Sequence, residues 1–388
     1  MNPLKSLFLL DPSITYLNFG SFGACPKPIF EAYQEWQLKL ERSPVQFIVH
    51  DAIEGLEITR RALGEYVGAD FMDLVMVTNP SYAINTIAKS LPLNAGDEIL
   101  TTNLEYGACD RTWEYYCEKR GATYVKQEIS LPIASEEEFL KEFWQGYTDK
   151  TKVVFISHIT SATGLILPVE ALCAEAKKRG LLTIVDGAHV PGHVPLDLST
   201  LQADVYTGAC HKWMMGPKGS SFLYVNKANQ GWVDPLLISW GFRSDFPSES
   251  TFIDYHQTVG TRDYAALLTV PSCLEFMKQN NWEEVSNHCK KETLRFGEQL
   301  TDLLGTRPLA PLTAAFYGQL FSAPIRTQDP IALKKRLFEE FRIEIPVVVQ
   351  HDAVYLRFSY QAFNSEEDMQ QLFAAVEALM QSGALLKR

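Results

Sequence analysis

The sequence contains no C-x-x-C pair. Its seven cysteines (Cys25, Cys109, Cys117, Cys173, Cys210, Cys273 and Cys289) are scattered and odd in number. That pattern argues against a disulfide scaffold or a cysteine zinc site, and it suits reduced thiols in a cytoplasmic protein. Apolar runs of membrane-spanning length are missing as well, so no membrane partner is expected. The short run at residues 7–10 is closed by Asp11-Pro12 and reads as mature protein, not as a secretion signal. There is no basic excess: 35 Lys and Arg stand against 47 Asp and Glu, a net charge of -12. Nucleic acid and anionic membrane surfaces are therefore poor partners. Internal repeats and low-complexity segments are also lacking. What is present is apolar mass, 46% of residues, enough to bury a large core. A chain of 388 residues exceeds the usual single domain, so two domains sharing one site are expected.

The chain is organised around Thr207-Gly208-Ala209-Cys210-His211-Lys212-Trp213-Met214-Met215-Gly216-Pro217-Lys218-Gly219. It lies between expected strands at 204–206 and 221–225. A lysine set among glycines and apolar residues at such a place is a candidate Schiff-base residue. Most single lysines are solvated surface charges, so Lys212 alone decides little. Upstream, the apolar run at 181–185 ends in Asp186, as a buried parallel strand does when it delivers a residue to a site. A lysine and a carboxylate at neighbouring strand ends suit pyridoxal phosphate. That cofactor needs an amine for its aldehyde and a carboxylate to keep its ring nitrogen protonated.

Taken in order, the chain opens with Asn18-Phe19-Gly20-Ser21-Phe22-Gly23, where small residues permit close backbone approach to a ligand. Helices are expected over 28–40 and 52–67. Strands over 74–78, 98–102, 123–126 and 152–157 then alternate with helices over 79–91, 107–119, 135–144 and 169–179. Such alternation predicts a right-handed parallel α/β sheet, with ligands at the carboxyl ends of its strands. Ser81, Tyr106, Ser157, Ser161, Asp186 and Lys212 all fall at such ends. Asn79-Pro80-Ser81-Tyr82 starts a helix, and a helix start is a natural phosphate site. Tyr106 is placed to stack on a planar ring. Regularity lapses over 226–264, before an apolar helix at 265–277 and a long helix at 283–304. Strands at 319–324, 345–349 and 354–359 with helices at 331–341 and 365–380 predict a smaller α+β part. The expected division is an N-terminal segment 1–30 that serves the small domain and the site, a large cofactor-binding domain 31–280 and a small domain 281–388. Arg357 lies in the last strand between Leu356 and Phe358, where an inward guanidinium calls for a fixed anion.

With these residues in place the sequence resembles the class V aminotransferase family of pyridoxal phosphate enzymes, and its isopenicillin N epimerase-like branch in particular. The resemblance rests on YLNFGSFGACPKP, TNPSYAINTI, LEYGA, SHITSATGLILPV, VDGAH, CHKWMMGPKGSSFLYV, VGTRDYAAL and LRFSYQAFNSEED, which run in order from end to end. It implies the aspartate aminotransferase-like fold (type I), pyridoxal 5'-phosphate as cofactor, an α-amino acid substrate and a homodimer with sites at the interface. It also implies roles: Lys212 binds the aldehyde, Asp186 pairs with the ring nitrogen, and His189 and Ser161 lie near the ring hydroxyl. Tyr106 stacks on the ring, and Ser81, Tyr82 and His211 cradle the phosphate. Thr261 reaches the phosphate of the other subunit. Arg357 grips the substrate carboxylate, with Asn18, Gly20 and Ser21 nearby. Serine replaces the usual threonine at 81, and Pro80 before it and Ala209 in place of a polar residue depart from the family's pattern at the phosphate. Gln257 stands where tryptophan is frequent, so the substrate pocket is expected to differ.

The reaction type stays open among epimerisation, transamination and elimination at a C–S bond. A cysteine desulfurase is disfavoured, because no cysteine follows Cys289 to serve as its nucleophile. Asp186, His189 and His193 also match a D-x-x-H-x-x-x-H metal spacing. Pro191-Gly192 interrupts any helix between the histidines, so a metal-dependent hydrolase is a remote alternative and no metal is expected. A relative that only binds is disfavoured by the joint presence of Lys212 and Asp186.

Overall fold

A computed structural model describes residues 4–386. Its strands, in chain order, are β1 (Thr15–Tyr16), β2 (Leu74–Val77), β3 (Glu98–Thr102), β4 (Thr123–Gln127), β5 (Thr151–Ser157) and β6 (Leu182–Gly187). They continue with β7 (Val205–Ala209), β8 (Ser221–Val225), β9 (Leu320–Ile325), β10 (Ile343–Glu344), β11 (Val347–Gln350) and β12 (Ala353–Ser359). Seven of them form the main sheet in the order β2-β8-β7-β6-β5-β3-β4. β8 runs antiparallel to both neighbours, and every other pair is parallel.

Parallel sheets are covered on both faces, and the alternation of side chains shows how. Val75, Val77, Val153, Phe155 and Ile184 point to one face, against Ile84 and Ile87 of helix Pro80–Ser90 and Trp113 of helix Gly107–Arg120. Leu74, Met76, Val154, Ile156 and Val185 point to the other, against Leu63 of helix Ala52–Val67 and Leu172 of helix Val169–Lys178. Each of these side chains is at most 3% exposed, and such burial contributes roughly 1.5–3 kcal/mol per large apolar residue.

The remaining strands build a second unit. β11-β12-β9 is antiparallel, and β1 pairs in parallel with β10. The helix Trp282–Leu304 lies on β9 with Gly297 directly over Phe321; a Cβ there would stand 2.7 Å from the ring. The N-terminal segment is tied to β12, where Ser359 N–H donates to the Leu17 carbonyl at 2.9 Å.

Three local expectations need correction. The strand expected at 204–206 continues to Ala209, because Thr207, Gly208 and Ala209 pair with β8. Gly208 is required there, since a Cβ would meet the Phe222 ring at 2.5 Å. The stretch read as irregular contains a helix, Thr251–Gln257, capped where Ser250 Oγ accepts the Ile253 N–H. The helix expected at 265–277 is split into Ala265–Leu268 and Val270–Gln279, where Pro271 lacks an N–H to continue the ladder.

Candidate active site

The carboxyl ends of β3, β5, β6 and β7 open on one side, together with the start of helix Pro80–Ser90. Between them lies a cavity of about 170 Å³ whose wall includes Ser81, Tyr106, Asp186, His189, His211 and Lys212. Ser21, Asn79, Ser157 and Ser161 add to its polar lining. A larger groove of about 980 Å³ lies on the far side of the loop through His193, and its lining holds neither Lys212 nor Asp186.

Asp186 is the fifth residue of β6 and only 4% exposed. Its Oδ1 accepts the Ala188 N–H at 2.9 Å, and its Oδ2 receives the Cys109 thiol at 3.5 Å. Burial raises its pKa above the ordinary carboxylate value, while that amide and the nearby Lys212 pull it back. Lys212 follows β7 by three residues. Burial pushes its amine down to about 8, with Arg357 acting the same way and Asp186 opposing. Its Nζ stands 3.1 Å from His189 Nε2. His189 itself is held well below the usual imidazole range, chiefly by burial and then by the charge of Lys212.

Arg357, on β12, is 5% exposed. One guanidinium nitrogen donates to the Ser161 carbonyl, and Nη2 donates to Ser21 Oγ at 2.9 Å. Its Nε is buried without a partner, and no carboxylate among the described residues lies within salt-bridge distance. Ser21 in turn donates to Asn18 Oδ1. Burying a cation without its counter-charge costs on the order of several kcal/mol, so this end of the cavity is electrostatically incomplete.

Most of the expected residues therefore meet, but not all. Tyr106, 47% exposed, stands at the mouth. His211 lines the wall with Nδ1 engaged by the Ser220 carbonyl. Tyr82 lies outside the lining, and its backbone N–H goes to the Asn79 side chain at 2.8 Å as a helix cap. Gly20 is packed behind the wall, against Leu320 and Trp213. The glycine needed for close approach is Gly23, at φ 65°, where a Cβ would sit 2.4 Å from the His211 carbonyl. It lets the N-terminal turn close over the backbone beside Lys212. Thr261 is exposed and away from this cavity. Gln257 is 6% exposed and bridges the Arg60 guanidinium and the Met76 carbonyl, so its amide is committed to the core. His193 has both ring nitrogens engaged by backbone groups, the His189 carbonyl and the Gln319 N–H, and so has no free ligand atom for a metal.

Glu105 and Cys109 escaped the sequence reading. Glu105 Oε2 accepts both the N–H and the hydroxyl of Ser157, at 2.9 and 2.6 Å, and Oε1 accepts from Thr102 at 2.7 Å. This joins the ends of β3 and β5, and burial pushes the carboxyl up to about 8. Its position beside Tyr106 at a strand end was the available signal.

Pyridoxal phosphate offers an aldehyde, a basic ring nitrogen and a phosphate. The cavity meets them with a depressed lysine amine, a buried carboxylate one of whose oxygens has no backbone donor, and the N-terminus of the 11-residue helix Pro80–Ser90. The residues present fit the group.

Comparison with known proteins agrees. The sequence pattern of the family "Aminotransferase class-V" matches residues 25–372. Isopenicillin N epimerase of Amycolatopsis lactamdurans is 32% identical over 384 residues, covering 95% of this chain and 96% of that protein. A probable chloroplastic L-cysteine desulfhydrase of Arabidopsis thaliana is 27% identical over 406 residues, covering 96% of this chain and 84% of that protein. Among solved structures, a cystine C-S lyase in complex with its product cysteine persulfide superposes with a TM-score of 0.83 at 23% identity, covering 94% and 97% of the two chains. An apo cysteine desulfurase from Thermococcus onnurineus NA1 gives a TM-score of 0.84 at 21% identity, covering 98% and 99%.

Proposed function

Because the chain belongs to the class V aminotransferase family, whose cofactor is pyridoxal 5'-phosphate, we propose that it epimerises an α-amino acid at Cα. The observation that carries the substrate class is Arg357, a buried guanidinium without an acidic partner at the edge of the cavity that holds Lys212 and Asp186. A planar fork of this kind matches a carboxylate through two parallel bonds. Bound there, the cofactor supplies an electron sink for the pair left on Cα when its proton leaves. Lys212 provides the amine that holds the cofactor and then carries the Cα proton. Asp186 keeps a proton at the ring nitrogen, Ser81 and His211 meet the phosphate, and Tyr106 covers the ring. His189 and Ser161 serve the ring oxygen, while Asn18 and Ser21 orient Arg357. In this epimerisation the Cα–H bond breaks with its proton passing to the Lys212 amine, and a new Cα–H bond forms on the opposite face with a proton drawn from solvent, without net redox change.

A second reading, elimination at Cβ, is supported by the L-cysteine desulfhydrase among the relatives. It needs one base: the Cα proton and a thiolate leave, and water then releases keto acid and ammonia. Incubation with single-enantiomer amino acids in D₂O separates the two. Inversion with deuterium at Cα supports epimerisation, whereas keto acid and released thiol support elimination. Neither outcome with any α-amino acid would sink both.

We further propose a cytoplasmic homodimer in which Thr261 reaches the partner's phosphate. The segment leading to Thr261 exposes Leu237, Ile238, Trp240 and Phe246, the last 93% exposed, as a surface awaiting cover does. All seven cysteines are free thiols. The division proposed is a large cofactor-binding unit 31–280 and a small unit 281–388, with 1–30 serving the small unit and the site.

A further inference from the structure

His193 has a fixed tautomer. Its Nδ1 lies 2.8 Å from the His189 carbonyl, which can only accept, so Nδ1 carries the proton. Its Nε2 accepts the backbone N–H of Gln319 at 2.5 Å. The ring is stacked on Trp213, with centroids 3.9 Å apart and planes 19° from parallel. Two glycines make this contact possible. A Cβ on Gly318 would stand 2.2 Å from His193 Nε2, and one on Gly192, at φ 81°, would stand 2.5 Å from the Trp213 carbonyl. Gln319 is anchored in turn, its Oε1 accepting from Ser286 at 2.9 Å and its Nε2 donating to the Tyr360 carbonyl at 3.1 Å.

Trp213 passes this order to the site. Its Nε1–H donates to His189 Nδ1 at 3.2 Å. An indole N–H only donates, so Nδ1 of His189 offers a lone pair and the neutral ring has its proton on Nε2. That nitrogen faces Lys212 Nζ at 3.1 Å. An N–H at this distance is favourable towards an amine, which has a lone pair, and unfavourable towards an ammonium, which has none.

We propose that Trp213, held flat by His193, is a positioning residue that fixes His189 as an Nε2–H donor and thereby holds Lys212 as a free amine. The proposal rests on Lys212 being the residue that carries the cofactor. The other groups around the pair bias it without setting the tautomer. Lys212 also faces Asp186, Cys109 and Arg357, and His189 also faces Arg357, His193 and His211. Arg357 favours the amine and Asp186 the ammonium, while neither donates to His189 Nδ1.

Trp213→Phe keeps an aromatic ring against His193 and removes only the N–H. Two quantities are measured on the full-length chain freed of cofactor: the ring ¹⁵N shifts of His189, and the rate of pyridoxal phosphate capture as a function of pH. In the parent, His189 is expected with a proton on Nε2 and none on Nδ1. In the variant the proton is shared between the nitrogens. The midpoint of capture moves up by about one pH unit, and capture near neutrality slows about tenfold, with the same limiting rate at high pH. A variant with unchanged tautomer and midpoint, even if it melts early, overturns the proposal. So does a parent whose His189 carries its proton on Nδ1, a result that stands whether or not the variant folds. A parent that captures no cofactor overturns the proposed function, and the ring shifts still judge the tautomer by themselves.

Discussion

Arg357 Nη2 donates to Ser21 Oγ at 2.9 Å, across 336 positions of sequence. The bond brings the start of the chain and its last strand to one cavity, and it aims a guanidinium whose charge no neighbouring carboxylate balances. Arg357→Lys should therefore raise KM for an α-amino acid by about ten- to a hundredfold, since each charge-assisted bond contributes roughly 1.5–3 kcal/mol. The corresponding decarboxylated amine should be far less affected. Equal losses for acid and amine would show that Arg357 only supports the fold.

Asp186→Asn should retain the cofactor on Lys212 while slowing exchange of the Cα proton by on the order of 10²-fold. The side chain still accepts the Ala188 N–H, so the wall keeps its shape. It no longer holds a proton on the ring nitrogen. Single-turnover exchange in D₂O at the parental rate would make Asp186 a structural residue.

Glu105 offers a pH test of the site's foundation. In the folded chain it keeps its proton up to about 8, and in the unfolded chain it releases it near the ordinary 4.5. Between those values the folded state binds more protons, so stability falls as pH rises through the window, by up to about 1.4 kcal/mol per unit. Glu105→Gln removes this dependence while keeping an acceptor for Ser157. Denaturation at pH 5.5 and 8.5 should show the variant gaining on the parent at the higher pH; parallel curves would contradict the assignment.

Gly23→Ala is expected to cost about 1–3 kcal/mol of stability, because φ 65° strains any other residue and a Cβ meets the His211 carbonyl at 2.4 Å. Cofactor retention should fall with it, since the turn closes over the backbone of Lys212. Gly180→Ala, also at positive φ but with open space around it, is the control for strain alone. Equal cofactor loss in both variants would remove the link to the site.

The dimer is tested by Thr261→Val. The variant should sediment as a dimer yet release cofactor faster on dialysis. A fully active monomeric parent, in sedimentation at assay concentration, would end the idea of a shared site.

The main sheet was legible because its strands are short apolar runs separated by amphipathic helices, and both signals are local. Lys212, Asp186, Ser81 and Tyr106 were legible for the same reason: strand ends in a parallel sheet share one side. Two glycines lie around Ser21, and only the fold tells which one approaches other backbone. It is Gly23. The helix Thr251–Gln257 escaped because its apolar positions face a core assembled from β2 and the Arg60–Gln257 contact, which no local window contains. Glu105 and the His193–Trp213 stack were illegible likewise. Their partners are distant residues, and burial, which gives them their properties, is a property of the assembled chain.

The hydrogen bond from Ser359 Oγ to the Leu17 carbonyl joins positions 342 apart. It sets an order of events on the ribosome. All seven strands of the main sheet have been synthesised once Val225 emerges, while the partners of residues 15–17 on β10 and β12 do not yet exist. A nascent chain at that point can bring Lys212 and Asp186 together, but Asn18 and Ser21 have no sheet to lie on. Contacts of such sequence separation form late, because the entropy of closing the loop comes before any gain. The lysine is thus assembled before the arginine. A half-made chain holds the lysine and its carboxylate without yet having the guanidinium that faces the same cavity.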